Sequence, residues 1–178
     1  YYSFTRMVAS GEVTTPEGTF EVTGSSWLDR EWSTSVLESN QIGWDWFALQ
    51  LNDGTDLMYY QLRDKAGKTD EQSSGKLVNP NGESRNLNFQ EVALKVVELW
   101  QSPNSGASYP AGWTLKLPSE SLDLHISARM SDQELQTTVS YWEGSVRVKG
   151  TQNGQPIQGV GYVEMTGYDQ FMTSVDGS

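Results

Sequence analysis

Two carboxylates, a guanidinium and two indoles crowd into Trp27-Leu28-Asp29-Arg30-Glu31-Trp32. On an extended strand Trp27, Asp29 and Glu31 share one side, and Leu28, Arg30 and Trp32 the other. A carboxylate beside indole walls loses hydration, its pKa rises, and it becomes a proton donor. The same residues would equally make an Asp–Arg–Glu ion-pair cluster capped by packed indoles.

A second acid lies in Gly43-Trp44-Asp45-Trp46-Phe47. Asp45 shares its strand face with Phe47 and Leu49, where a carboxylate is costly unless paired. Arg30 is one candidate partner. Asp45 then reads either as a cavity-lining acid or an orienter of Asp29, or as a structural acid satisfied by Arg or backbone donors. Glu143 in Tyr141-Trp142-Glu143-Gly144 repeats the acid-next-to-indole pattern, but reads first as a hydrogen-bonded strand start. The lone His125 falls on the polar side of its strand and is a weak base candidate. With one His and no Cys, thiolate chemistry, disulfides and Cys-based zinc sites are excluded, and a Ser triad would have to use His125. There is no Gly-x-Ser-x-Gly elbow, Gly-rich phosphate loop or calcium loop. No metal and no cofactor are expected.

Strands must position these residues. Pro16-Glu17-Gly18, Asn52-Asp53-Gly54, Lys65-Ala66-Gly67, Pro80-Asn81-Gly82 and Asn153-Gly154 mark tight turns. Between them run segments rich in Val, Tyr, Trp, Phe and Thr. Leu122, Leu124, Ile126 and Ala128 alternate with polar residues, as does Ser145-Val146-Arg147-Val148-Lys149. About ten strands are expected among the windows 4–13, 19–26, 42–51, 56–63, 72–79, 84–89, 92–100, 112–117, 121–130, 134–140, 144–151 and 157–167. Residues 91–100 are also helix-compatible, although Val92, Val96 and Val97 oppose it. Residues 101–111 form the longest irregular stretch. The strands at 42–51 and 57–63 look apolar on both faces, through Trp44, Trp46, Tyr59 and their neighbours, so a covering domain or partner is expected.

The chain has 178 residues, seven Trp, eight Tyr and a net charge of −11. This length suits one domain built as a β-sandwich or closed barrel. The charge repels phosphate backbones and anionic surfaces, so no nucleic-acid partner is expected. No apolar run reaches about 18 residues, so no transmembrane helix is expected. The opening Tyr1-Tyr2-Ser3, with neither Met nor signal peptide, is what a processed or excised piece would show.

Taken in order, Trp27-Leu28-Asp29-Arg30-Glu31-Trp32-Ser33, Gly43-Trp44-Asp45-Trp46-Phe47-Ala48-Leu49-Gln50-Leu51, Asp53-Gly54 and Leu57-Met58 resemble the AttH/CrtC-like family. So do Ser102-Pro103, Ser105-Gly106, Tyr109-Pro110, Gly112-Trp113, Tyr141-Trp142-Glu143-Gly144 and Gly161-Tyr162-Val163-Glu164-Met165-Thr166-Gly167-Tyr168. That family joins secreted hydrolases of unassigned activity to the carotenoid 1,2-hydratases. The resemblance covers nearly the whole chain. It implies an all-β, lipocalin-like antiparallel β-barrel over residues 1–178, the C-terminal half of a two-domain protein whose N-terminal barrel would be a partner. It also implies a periplasmic or secreted location.

In the hydratase branch, the acid that corresponds by motif to Asp29 is the proposed proton donor. Protonation of a trisubstituted alkene gives a tertiary cation that indoles can stabilise before water adds. That branch continues with a His-Asn-like pair where this chain has Arg30-Glu31. A neighbouring Arg weakens an acid, so the chain sits closer to the AttH-like branch. The expected function is binding of an apolar small molecule, a lipid, isoprenoid or polyene, by Trp27, Trp44, Trp46, Tyr59 and Trp142. A competing expectation is a hydratase, hydrolase or cyclase-like enzyme with Asp29 as general acid, supported by Asp45 and Glu31. A third is a non-catalytic accessory module of a transport system.

Overall fold

Closely spaced turns break the sequence into short extended runs whose side chains alternate in and out. A computed structural model describes residues 1–33, 37–137 and 140–168. These form β1 (Tyr2–Thr15), β2 (Gly18–Arg30), β3 (Gln41–Leu51), β4 (Asp56–Asp64), β5 (Ser74–Val78) and β6 (Ser84–Asn88). There follow β7 (Ala93–Gln101), β8 (Ser108–Leu117), a 3₁₀ turn (Pro118–Glu120), β9 (Leu122–Ala128), β10 (Glu134–Gln136), β11 (Ser140–Gln152) and β12 (Gln155–Thr166). Every expected window carries a strand, and the helix-compatible stretch is β7. The irregular segment narrows to residues 102–107. No described helix is long and apolar enough to cross a membrane.

The chain divides into two compact units, Tyr1–Val36 and Leu37–Ser178. The first is a long hairpin, β1 against β2, running from Tyr2 opposite Arg30 to Thr15 opposite Gly18. Its side chains Phe4, Val8, Val13 and Phe20 are exposed.

The second unit is one ten-stranded antiparallel sheet in the order β6-β5-β4-β3-β12-β11-β9-β8-β7, with β10 paired to β11. β9 and β10 share β11 end to end, β9 on Val146–Gln152 and β10 on Ser140–Trp142. The sheet curls so that one face of every long strand meets a single core. On β3 the inward residues are Gly43, Asp45, Phe47, Leu49 and Leu51. Phe47 meets Trp113 edge-on at 5.5 Å, and Trp113 meets Trp142 at 6.3 Å. Leu122, Leu124 and Ile126 of β9 and Val146 and Val148 of β11 complete the interior. Burial of this apolar surface is the main force holding the curl. On the outward face of β3 and β4, Trp44, Trp46, Tyr60 and Leu62 are half-buried rather than open.

The two edges, β6 and β7, are consecutive in the chain and are not hydrogen-bonded to each other. Side chains join them at one end. Arg85 of β6 binds Glu91 at 2.5 Å and Glu120, in the 3₁₀ turn after β8, at 2.9 Å. Elsewhere the sheet is notched, because β5 and β6 are only five residues long. The far half of β4, from Gln61 to Asp64, therefore runs past β5, beside the loop residues Lys68, Thr69, Asp70 and Ser73 that bond to Leu62, Arg63 and Asp64.

Candidate functional site

A cleft of about 640 Å³ opens at that notch. Asp45 of β3, Gln61 and Arg63 of β4, and Gly67 line one side. Val96, Val97, Glu98 and Leu99 of β7, with Pro110 of β8, line the other. Tyr168, just past β12, also borders it. Val96, Val97 and Leu99 are exposed and give the cleft an apolar lip. Its polar floor is Asp45, Arg63 and Tyr168.

The register explains how these three meet. The Asp53-Gly54 turn joins β3 to β4, with Asp45 opposite Gln61 and Gly43 opposite Arg63. Asp45 and Arg63 thus point to the same, inward face. Gly43 has no side chain, and a Cβ there would strike the Arg63 guanidinium and the Thr166 carbonyl. The guanidinium occupies that space. Its Nη1 donates to Asp45 Oδ1 and its Nη2 to the Thr166 carbonyl. Gly167 has φ +78°, a left-handed conformation that turns the chain beyond β12 so that Tyr168 lies over the pair. The Tyr168 hydroxyl donates to both Asp45 carboxylate oxygens at 3.0 Å, and its ring lies 4.0 Å from the centre of the guanidinium.

The electrostatics follow from burial. Asp45 is 1% exposed and Arg63 5%. Desolvation pushes the Asp45 carboxyl above its ordinary range, against the pull of Arg63 and Tyr168. Burial, reinforced by the facing Asp45 charge, pushes the Tyr168 phenol well above the tyrosine range. Arg63 and Tyr168 both donate to this carboxyl, so the three groups satisfy one another on the cleft floor.

An aromatic ladder continues from the floor. The Tyr109 ring lies 5.6 Å from Tyr168, and Trp100 stacks on Tyr109 at 6.2 Å. The Tyr109 hydroxyl donates to Glu134 at 3.0 Å. Glu134 also accepts from Ser102 at 2.5 Å and from Ser105, which fixes the segment between β7 and β8. Desolvation raises the Glu134 carboxyl, but these hydroxyls outweigh it and hold the group below its usual range.

The residues singled out in the sequence fall in different places. Asp45 lies on the cleft floor, and its partner is Arg63, whereas Arg30 lies over the Trp32 ring at 5.5 Å. Tyr59 and Trp142 are in the core, and the Trp142 indole donates to the Ser131 carbonyl at 2.8 Å. Trp44 and Trp46 face outward, where the Trp44 indole donates to Glu164 at 2.8 Å. Trp27, Asp29 and Glu31 belong to the hairpin unit. There Asp29 accepts from the Tyr1 hydroxyl, and from Ser3 Oγ at 2.5 Å. Glu31 lies past the end of β2 and is exposed. Glu143 is half-buried and accepts from Tyr162 at 3.3 Å. His125 is exposed on β9.

Arg63 was missed in the sequence, although the hairpin register set by Asp53-Gly54 places it one step diagonally from Asp45. Tyr168 stood in a family motif with no role attached. Among the described residues, no group of three His, Asp or Glu could hold a metal ion.

An antiparallel sheet curled round one core, with its cleft at a notch in the wall, defines a lipocalin-like protein. The chain belongs to the AttH-like family, which it matches over residues 1–168. An AttH-type protein from Nitrosomonas europaea superposes with a TM-score of 0.81 and 34% identity, over 94% of this chain and 51% of that one. Kievitone hydratase from Nectria haematococca shares the fold, with a TM-score of 0.69 and 21% identity over 88% of this chain and 49% of that one. The chain therefore spans about half the length of these solved structures. No curated protein matches it.

Proposed function

We propose that this chain binds an apolar small molecule in the cleft between β3–β4 and β7–β8. One observation carries the reading: an apolar lip of Val96, Val97 and Leu99 leads to a buried Asp45–Arg63–Tyr168 floor. The volume suits a compact organic ligand, since such sites typically measure about 300–1,000 Å³. Trp100, at the end of the aromatic ladder, is a natural reporter. Titration with retinol, dodecanol and a prenylated phenol is expected to quench Trp fluorescence saturably for at least one of them. Leu99→Asp, at the lip, is expected to weaken that response at least about tenfold, the effect of a charge placed in an apolar contact. Absence of any response across a broad panel of lipids, isoprenoids and polyenes defeats the reading, and the accessory-module alternative then stands.

The raised Asp45 carboxyl favours a second reading, an enzyme that protonates an alkene or similar group. The likeness of fold to a hydratase agrees with it. In this reading Asp45 is the acid, while Asp29, held by two hydroxyls in the hairpin unit, is the alternative donor. Asp45→Asn and Asp29→Asn, each assayed for hydration of prenyl double bonds with folding checked by circular dichroism, separate the two. A second barrel and an exported location complete the proposed setting; the first accords with relatives about twice as long.

A further inference from the structure

We infer that the cleft selects an organic cation, an apolar body carrying one ammonium group, and that Glu98 on β7 receives the ammonium. This rests on reading the cleft as a ligand site, and adds which class of ligand it takes.

The backbone of β7 puts the acid in place. Val96 lies opposite Trp113, Glu98 opposite Gly112 and Leu99 opposite Pro110. Val97 therefore has no residue across from it, and the strand is bulged there. Neighbours on a regular strand point to opposite faces, whereas a bulge re-aims the side chains beside it. Here four consecutive residues, Val96, Val97, Glu98 and Leu99, all border the cleft. The acid thus stands in the middle of the apolar lip. A Cβ on Gly112 would fall 3.0 Å from Glu98 Cβ and 3.3 Å from Glu98 Oε2. The bare glycine leaves the room across which the Glu98 side chain extends. Glu98 is exposed, so an incoming group can reach it. It joins no ion pair or hydrogen bond with the described residues.

Charge then decides the ligand. The charged residues lining the cleft are Asp45, Arg63 and Glu98. Asp45 and Arg63 are buried and answer each other on the floor, and Tyr168 covers one face of the guanidinium. The charge left facing a ligand is that of Glu98. Lys65 and Lys68, on either side of Gly67, and Lys95, before Val96, do not line the cleft. A ligand carboxylate would be repelled, a hydroxyl would gain little, and an ammonium would pair with Glu98. At so exposed a lip the ammonium keeps part of its water, so desolvation does not cancel the gain. Val96, Val97 and Leu99 take the apolar body.

Three ligands of one shape test this on the intact protein by calorimetry at low salt: 2-naphthylmethylammonium, 2-naphthylmethanol and 2-naphthoate. The ammonium is expected to bind about fivefold tighter than the alcohol, the upper end for an exposed ion pair. The naphthoate is expected to bind more weakly than the alcohol. Raising the salt to about 1 M is expected to shrink the spread. In Glu98→Gln the advantage of the ammonium over the alcohol is expected to vanish. Because Glu98 is exposed and pairs with no described residue, circular dichroism is expected to show that variant folded. Equal affinity for ammonium and alcohol overturns the inference while leaving apolar binding intact. Tightest binding of the naphthoate overturns it in favour of an anion site drawing on the flanking lysines. An ammonium preference that survives in Glu98→Gln overturns the role given to Glu98. If none of the three binds but a member of the broader panel does, the inference alone falls. No binding by any of them defeats the binding reading itself.

Discussion

Asp45 illustrates how one residue can be both expensive and indispensable. Burial works against its charge, yet Arg63 beside it cannot lose its own. Removing one member of a buried pair strands the other, at a cost of about 3–5 kcal/mol. Asp45→Ala is therefore expected to lower the urea-unfolding free energy by roughly that amount. The pair Asp45→Leu with Arg63→Met leaves no charge behind and is expected to cost clearly less than the sum of the single changes. A double-mutant cycle on the unfolding midpoint checks this, and additive losses would show that the two side chains do not act as a pair.

At the scale of the elements, Gly43 is the position where β3, β4 and β12 constrain one another. A methyl there meets the Thr166 carbonyl, which is backbone and cannot swing aside, as well as the Arg63 guanidinium. Gly43→Ala is expected to destabilise by about 1–3 kcal/mol, seen as a lower urea midpoint together with a weakened ligand response at the cleft. A midpoint equal to that of the unaltered protein would show that the strands shift freely at this point. Much of this layer was legible in the sequence. Alternation in Leu122–Ala128 and Ser145–Lys149 fixed which side faces in, and Gly-containing turns fixed where strands end. The site was less legible, because a floor built from β3, β4 and the residue after β12 needs the order of strands in the sheet, and no local pattern reports that β12 lies beside β3. Indoles beside acids drew attention to Asp29, Trp44 and Trp46. Alternation along a strand does not say which of its two faces turns inward when both carry aromatics.

For the whole molecule, the titration of buried phenols sets a limit on alkaline stability. Burial pushes Tyr59 up to about 12, and Tyr168 is raised in the same direction. In the unfolded chain both phenols return to about 10. The folded state then holds protons that the unfolded state has released, so stability is fully present below about pH 10 and falls as pH rises towards 12. Urea midpoints measured through that interval are expected to drop, with Tyr59→Phe flattening the decline. A midpoint unchanged through the interval would mean that these rings reach solvent. By contrast, the exposed Arg85 clasp joining the two edges contributes little and weakens with salt.

The strand order has a kinetic consequence. β3 to β6 are neighbours in sequence and in space, and so, but for the short β10 between β9 and β11, are β7, β8, β9, β11 and β12. These two meanders are joined in the sheet by one pairing, β12 on β3, which spans the widest sequence separation of any. Pairings that close long loops are slow, and all-β chains dominated by them fold in about milliseconds to seconds. Asp45 and Arg63 belong to one meander, while Tyr168 and the Thr166 carbonyl come with the other. Completion of the cleft floor is thus tied to the step that unites the halves, and either meander formed alone holds an unfinished site.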